Sequence, residues 1–136
     1  NSIVFGSTVI PQKDVVKMKM WIRNGSPKKL TSLRAQMCVM LKGAPEFNQR
    51  IATNKIKDGN WAACRDATAK RWIITGWTPI HRAWLNPPVP CLHADPSFPD
   101  CPPGQTVTAH GILSYYEGND VKQRIRQLRA KYFPTK

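Results

Sequence analysis

The chain is expected to fold as a mainly β protein, an antiparallel β-sandwich with a short C-terminal helix. Three observations lead there. Several segments alternate apolar and polar residues with a period of two. Gly, Pro, Asn and Asp punctuate them as turns. Helical periodicity is confined to the C-terminus, so no strand–helix–strand rhythm exists to build a parallel sheet. The 136 residues suit a single domain, 1–136, with room for a core.

Ile3 to Ile10 is rich in β-branched and aromatic residues and stops at Pro11, which predicts a first strand. Val16, Met18, Met20 and Ile22 then alternate with Lys17, Lys19, Trp21 and Arg23, a half-buried strand with a basic outer face. Asn24-Gly25-Ser26-Pro27 is turn chemistry. Leu33, Ala35, Met37, Val39 and Leu41 alternate with Arg34, Gln36, Cys38, Met40 and Lys42, a third strand ended by Gly43-Ala44-Pro45. Residues 46–69 read as a long polar loop with a turn at Asp58-Gly59-Asn60 and one short strand near Trp61 to Cys64. Trp72 to Trp77 is a strand on which the two tryptophans face opposite ways, so at most one is expected in the core. Thr106 to Tyr115 alternates as the last strand. Asp120 can cap a helix over about 120–132, with Val121, Ile125, Leu128 and Tyr132 on one face and Lys122, Arg126, Arg129 and Lys131 around the rest.

Asn86 to Gly104 holds seven of the twelve prolines. Proline removes backbone donors and fixes φ, so this segment is expected as a stiff irregular loop, neither helix nor central strand. It carries Cys91 and Cys101, and a disulfide between them is the simplest proposal, presenting His93 and Asp95 at the surface. Cys38 either pairs with Cys64 or is a buried thiol. Four cysteines without a Cys-x-x-Cys pair favour an oxidising compartment and argue against a zinc ribbon.

The 21 Lys+Arg against 8 Asp+Glu give a net charge of +13. Such a field attracts polyanions: nucleic acid, acidic or sulfated polysaccharide, or an anionic membrane surface. No basic residue lies between Ala83 and Val121, where Asp95, Asp100, Glu117 and Asp120 fall, so a neutral-to-acidic patch on a basic body is expected. No apolar run is long enough for a transmembrane helix. No signal peptide is visible, and the chain opens directly in strand, as a mature secreted protein or an excised domain does.

Candidate ligand-binding residues cluster in fourteen positions, where Trp77 and Trp84 stand among Arg71, His81 and Arg82, with His93 following in the proline loop. Flat indoles stack on sugar rings or bases, and arginine adds planar donors for anionic groups. His81, His93, Asp95, Asp100, Cys91 and Cys101 are donors at no recognised ligand spacing, so no metal is expected. Met18, Met20 and Met37 fall on inward strand faces as core filling. Asp95 and Asp100, joined by Glu117, are the carboxylates available for hydrolysis. Ser97 lacks a nucleophile elbow, and no phosphate-binding glycine loop or other cofactor fingerprint is present. The basic stretch from Lys122 to Lys131 is the best element for phosphate contact, without a nucleic-acid-binding signature.

The run from Met20 to Leu33, with its Asn24-Gly25 turn and Leu30-Thr31, resembles a strand–turn–strand of immunoglobulin-like β-sandwich modules, and Pro102-Pro103-Gly104-Gln105-Thr106-Val107 is similar to the approach to their late strand. Trp72 to Gly118 resembles part of uncharacterised secreted proteins of environmental bacteria, some associated with polysaccharide use. The resemblance implies an immunoglobulin-like sandwich and carries no catalytic residue. The expected function is a non-catalytic extracytoplasmic module binding an acidic polymer, polysaccharide ahead of nucleic acid. The alternative is a carbohydrate-active enzyme, or a fragment of one, using Asp95 and Asp100.

Overall fold

The computed structural model describes residues 2–134. In chain order the elements are β1 (Ile3–Pro11), β2 (Val15–Asn24), β3 (Cys38–Met40), β4 (Lys55–Asp58), β5 (Trp61–Arg65), β6 (Arg71–Thr78), β7 (Ile80–Leu85), β8 (Cys91–Pro96), β9 (Thr106–Glu117) and α1 (Val121–Tyr132). All pairings are antiparallel. A six-stranded sheet runs β1-β2-β9-β6-β5-β4, and a three-stranded sheet runs β3-β8-β7. The expected mainly β sandwich with a C-terminal helix is what forms. Its six-plus-three division differs from the four-plus-three arrangement of immunoglobulin constant domains, so the likeness holds at the level of two antiparallel sheets.

The middle of the large sheet is covered on both faces, while β1 at its edge stays exposed, and period two explains how. On one face Trp61, Ala63, Trp72, Ile74 and Ile112 meet Val121, Ile125 and Leu128 of the helix. Asp120 caps that helix, its carboxylate accepting from the Gln123 N–H at 2.8 Å. On the other face Ala62 and Cys64 pack with Leu41, Phe47 and Leu92, while Trp77 and Ala109 pack with Ala94 and Phe98. Trp72 and Trp77 do point opposite ways, yet both are buried, because helix and small sheet each supply a lid. The expectation of at most one core tryptophan fails for that reason. Met18, Met20 and Met37 line the inter-sheet core, as read.

Three strands differ from expectation. The 46–69 segment holds the whole β4–β5 hairpin around the turn at Gly59, not one strand alone. The third strand keeps regular pairing only over Cys38–Met40, although the stretch before it stays beside the segment that follows β8 through Leu30↔Cys101 and Arg34↔Ser97. Most consequential is the proline segment. Cys91 to Asp95 is free of proline and keeps every N–H, so β8 is the central strand of the small sheet, with Pro96 at its end. Apart from Pro96 at its last position, the prolines flank this strand and do not occupy it.

The expected Cys91–Cys101 disulfide does not form; all four cysteines are free. Strand β8 carries Cys91 away towards His93, whose Nε2 lies 3.3 Å from its sulfur, while Cys101 is buried with its thiol directed at the Gln105 carbonyl, 3.3 Å away. Cys38 is exposed and is neither paired with Cys64 nor buried.

Candidate functional site

Small-sheet residues not directed at the core converge on its outer face. Leu92 and Ala94 of β8, Leu85 of β7, Val39 of β3 and Leu41 just after it point inward. Alternation therefore turns Cys91, His93 and Asp95 outward on β8, Arg82 and Trp84 on β7, and Cys38 and Met40 on β3. Trp84 stands directly opposite His93, and Cys38 opposite it on the other side. The register irregularity between Ile80 and Arg82 frees His81 to meet Arg34, their nitrogens 3.3 Å apart.

Asp95 organises this face. Its Oδ2 accepts from Trp84 Nε1 at 2.8 Å and from Arg82 Nε at 3.0 Å. Its Oδ1 accepts from the Met37 backbone N–H at 3.0 Å, replacing a ladder bond where the strand before β3 is irregular. The His93 ring stacks on Trp84 with centroids 3.9 Å apart, and the Arg82 guanidinium lies 5.1 Å from the same indole. Asp95 and His93 are only 2% and 3% exposed, so the presentation at the surface expected for them is corrected: Trp84 covers them. His93 Nδ1 has no hydrogen-bond partner and sits 3.9 Å from Asp95 Oδ1. Cys38, Cys91 and His93 bring one potential ligand atom each to within 4.8 Å of one another. Burial raises the Cys91 pKa, and the neighbouring Cys38 adds to this. Burial likewise lowers the His93 pKa; the Asp95 carboxylate pulls it up, less effectively.

That depression fixes a pH dependence. An unfolded imidazole takes up its proton near pH 6.5, while folded His93 does not until lower pH. The unfolded chain thus holds more protons in that window, and stability falls as pH drops below about 6.5. Urea midpoints measured between about pH 7.5 and 5.5 in chelator-treated buffer should decline more steeply in the wild type than in His93→Gln. Equal slopes would show that His93 is not the group responsible.

Of the residues singled out in the sequence, His81, Arg82, Trp84, His93 and Asp95 meet here. Trp77 does not; it is a core side chain, 1% exposed. Arg71 stands elsewhere, paired with Glu46 and with Asp66. Burial works against the charge of Asp66, but hydrogen bonds from Thr68 and from the backbone of Arg71 and Lys70 outweigh it and hold its carboxyl below the usual value. Asp100 is exposed on Lys29, 2.8 Å away, and Glu117 lies opposite Arg71 at the end of β9. Asp95, Asp100 and Glu117 have no partner in common. The expected acidic patch is reduced, since Arg82 and Lys29 come from outside the segment to meet Asp95 and Asp100, two of its four acidic residues. Arg34 and Cys38 escaped notice as site residues because only cross-strand pairing brings them to Ser97 and to β8.

Elsewhere, an apolar cleft of about 560 Å³ opens where the small sheet stops short of β1, lined by Phe5, Leu30, Leu33 and Phe98. On the helix, Arg129 is held by Asp58, and Arg124 reaches Ser114, so α1 offers phosphate no continuous row of unengaged cations.

The architecture defines the chain as an antiparallel two-sheet β domain with a helix on its larger sheet. A solved structure described as "Putative kojibiose phosphorylase from human microbiome" shares this fold, with a TM-score of 0.57 at 9% sequence identity over 96% of this chain. The chain corresponds to 18% of that protein's length. No protein-family model and no curated protein matches the sequence.

Proposed function

We propose that this domain is a non-catalytic binding module for an acidic polymer, an acidic polysaccharide in particular, acting outside the cytoplasm. One observation carries the reading: five of the eight carboxylates are engaged while cations are in excess. Asp58, Asp66, Asp95, Asp100 and Glu46 all sit in ion pairs, against a net charge of +13. Asp95 is buried and accepts three hydrogen bonds, which disfavours the paired-carboxylate hydrolysis that was the alternative. At one end of the outer face Arg34 and Arg82 form a cationic rim, with His81 between them as a polar neighbour, suited to carboxylate or sulfate groups. Trp84 contributes by holding Arg82 and capping His93, since its ring is already in contact with both. The fold likeness to part of a protein named for a disaccharide is compatible with a carbohydrate partner. The free thiols remove the disulfide as support for an extracytoplasmic location, which rests on the polymer class alone.

Because screening acts over about 8 Å at physiological ionic strength, retention on heparin or polygalacturonate should be strong in dilute buffer and collapse as salt rises. Arg34→Gln combined with Arg82→Gln should weaken it further, with no new reducing ends released. Salt-independent retention, or release of reducing ends abolished by Asp100→Asn, would overturn the reading; tighter binding to single-stranded DNA than to either glycan would shift it to nucleic acid.

A further inference from the structure

We propose that Cys38, Cys91 and His93 form a zinc-binding site on the outer face of the small sheet, with Asp95 as the residue that holds His93 in position. The inference is independent of the polysaccharide reading. It rests on a convergence that strand pairing creates: Cys38 is the cross-strand partner of His93, and Cys91 lies two residues from His93 on the same face. The three donor atoms lie within 4.8 Å of one another, and Cys91 Sγ is 3.3 Å from His93 Nε2. In a tetrahedral zinc site, bond lengths of about 2.3 Å to sulfur and 2.0–2.1 Å to nitrogen place such donors about 3.5 Å apart. The chain is therefore close to ligating geometry already.

The surroundings are those of a ligating histidine. Its Nε2 faces the sulfur, while Nδ1, buried and without a hydrogen-bond partner, points towards the Asp95 carboxylate 3.9 Å away. A proton on Nδ1 aimed at Asp95 leaves the Nε2 lone pair free for metal, the usual carboxylate–histidine–metal relay. Asp95 is itself fixed by Met37, Arg82 and Trp84. On coordination Cys38 and Cys91 each release a proton to solvent, and two thiolates with one neutral imidazole balance a divalent cation. That neutrality favours zinc over copper(I) in a site this buried. Three protein ligands leave the fourth position open on the solvent side, where Cys38 is exposed.

The reduced full chain, stripped with chelator and kept anaerobic, would be titrated with cobalt(II). One equivalent per chain is expected, with sulfur-to-cobalt charge transfer and the intense visible bands of tetrahedral cobalt, all removed by zinc. Cys38→Ser, at an exposed position that does not threaten folding, should reduce the charge-transfer intensity by about half and weaken binding by at least about tenfold. His93→Gln should weaken it similarly, and Cys64→Ser should leave it unchanged. Absence of the cobalt spectrum in reduced protein, a spectrum insensitive to Cys38→Ser, or failure of zinc to displace cobalt would each overturn the site. So would recovery of a Cys38–Cys91 disulfide in protein whose reduced form takes up no cobalt, which would identify a redox pair.

Discussion

Replacing Trp77 by alanine is expected to destabilise the domain by about 3–5 kcal/mol, the range for removing a large aromatic from a core. Trp77 is 1% exposed and packs between the sheets with Ala94, Phe98 and Ala109. Its ring lies so close over β9 that a Cβ at Gly111 would come within 2.3 Å of it. Nothing of comparable size can slide into the space, so a cavity remains. Equilibrium urea unfolding measures the loss, and any polymer binding by the fraction still folded should be intact. A variant that unfolds at the wild-type midpoint but no longer binds would restore Trp77 as a ligand platform.

Asp95→Ala should cost about 3 kcal/mol, because hydrogen bonds to a charged group are each worth about 1.5–3 kcal/mol and three donors lose their acceptor together. The sum is not additive, and Arg82, whose side chain is 55% exposed, recovers water when released. The Met37 N–H and the Trp84 indole are the groups left stranded. Asp95→Asn, which keeps an acceptor for Met37, should lose roughly half as much. Thermal and urea unfolding of both variants decide this; a change below about 1 kcal/mol for Asp95→Ala would mean the carboxylate is not the organiser of the face.

Strands with one apolar and one polar face were legible in the sequence. The alternation of Met18, Met20 and Ile22 with lysines located β2, and Asp120 with Val121, Ile125 and Leu128 located the helix, because local period reports directly on which side is covered. What eluded reading had no such sustained period. Leu92 and Ala94 do alternate with His93 and Asp95, but the run is short, and the flanking prolines dominate its local signal. Lys55 looked like a loop residue, yet it lies on β4 and donates to the Ile51 carbonyl at 2.8 Å. The rim of His81 and Arg82 with Trp84 was visible as a cluster on one stretch of chain. Arg34 and the Cys38–Cys91–His93 group were not, since residues 53 positions apart in Cys38 and Cys91 meet only through the β3–β8 register. Ligand-spacing rules apply to ligands borne on one local element and are blind to such pairs.

The polymer-binding proposal meets its most direct test in backbone amide chemical-shift mapping of the full chain titrated with a short oligogalacturonate at low salt. Shifts concentrated on Arg34, His81, Arg82 and Trp84, saturating and reversed by added salt, are expected. Shifts confined to the apolar cleft at β1 or scattered over every lysine, or none at all, would contradict the assignment of the small sheet's outer face as the binding surface.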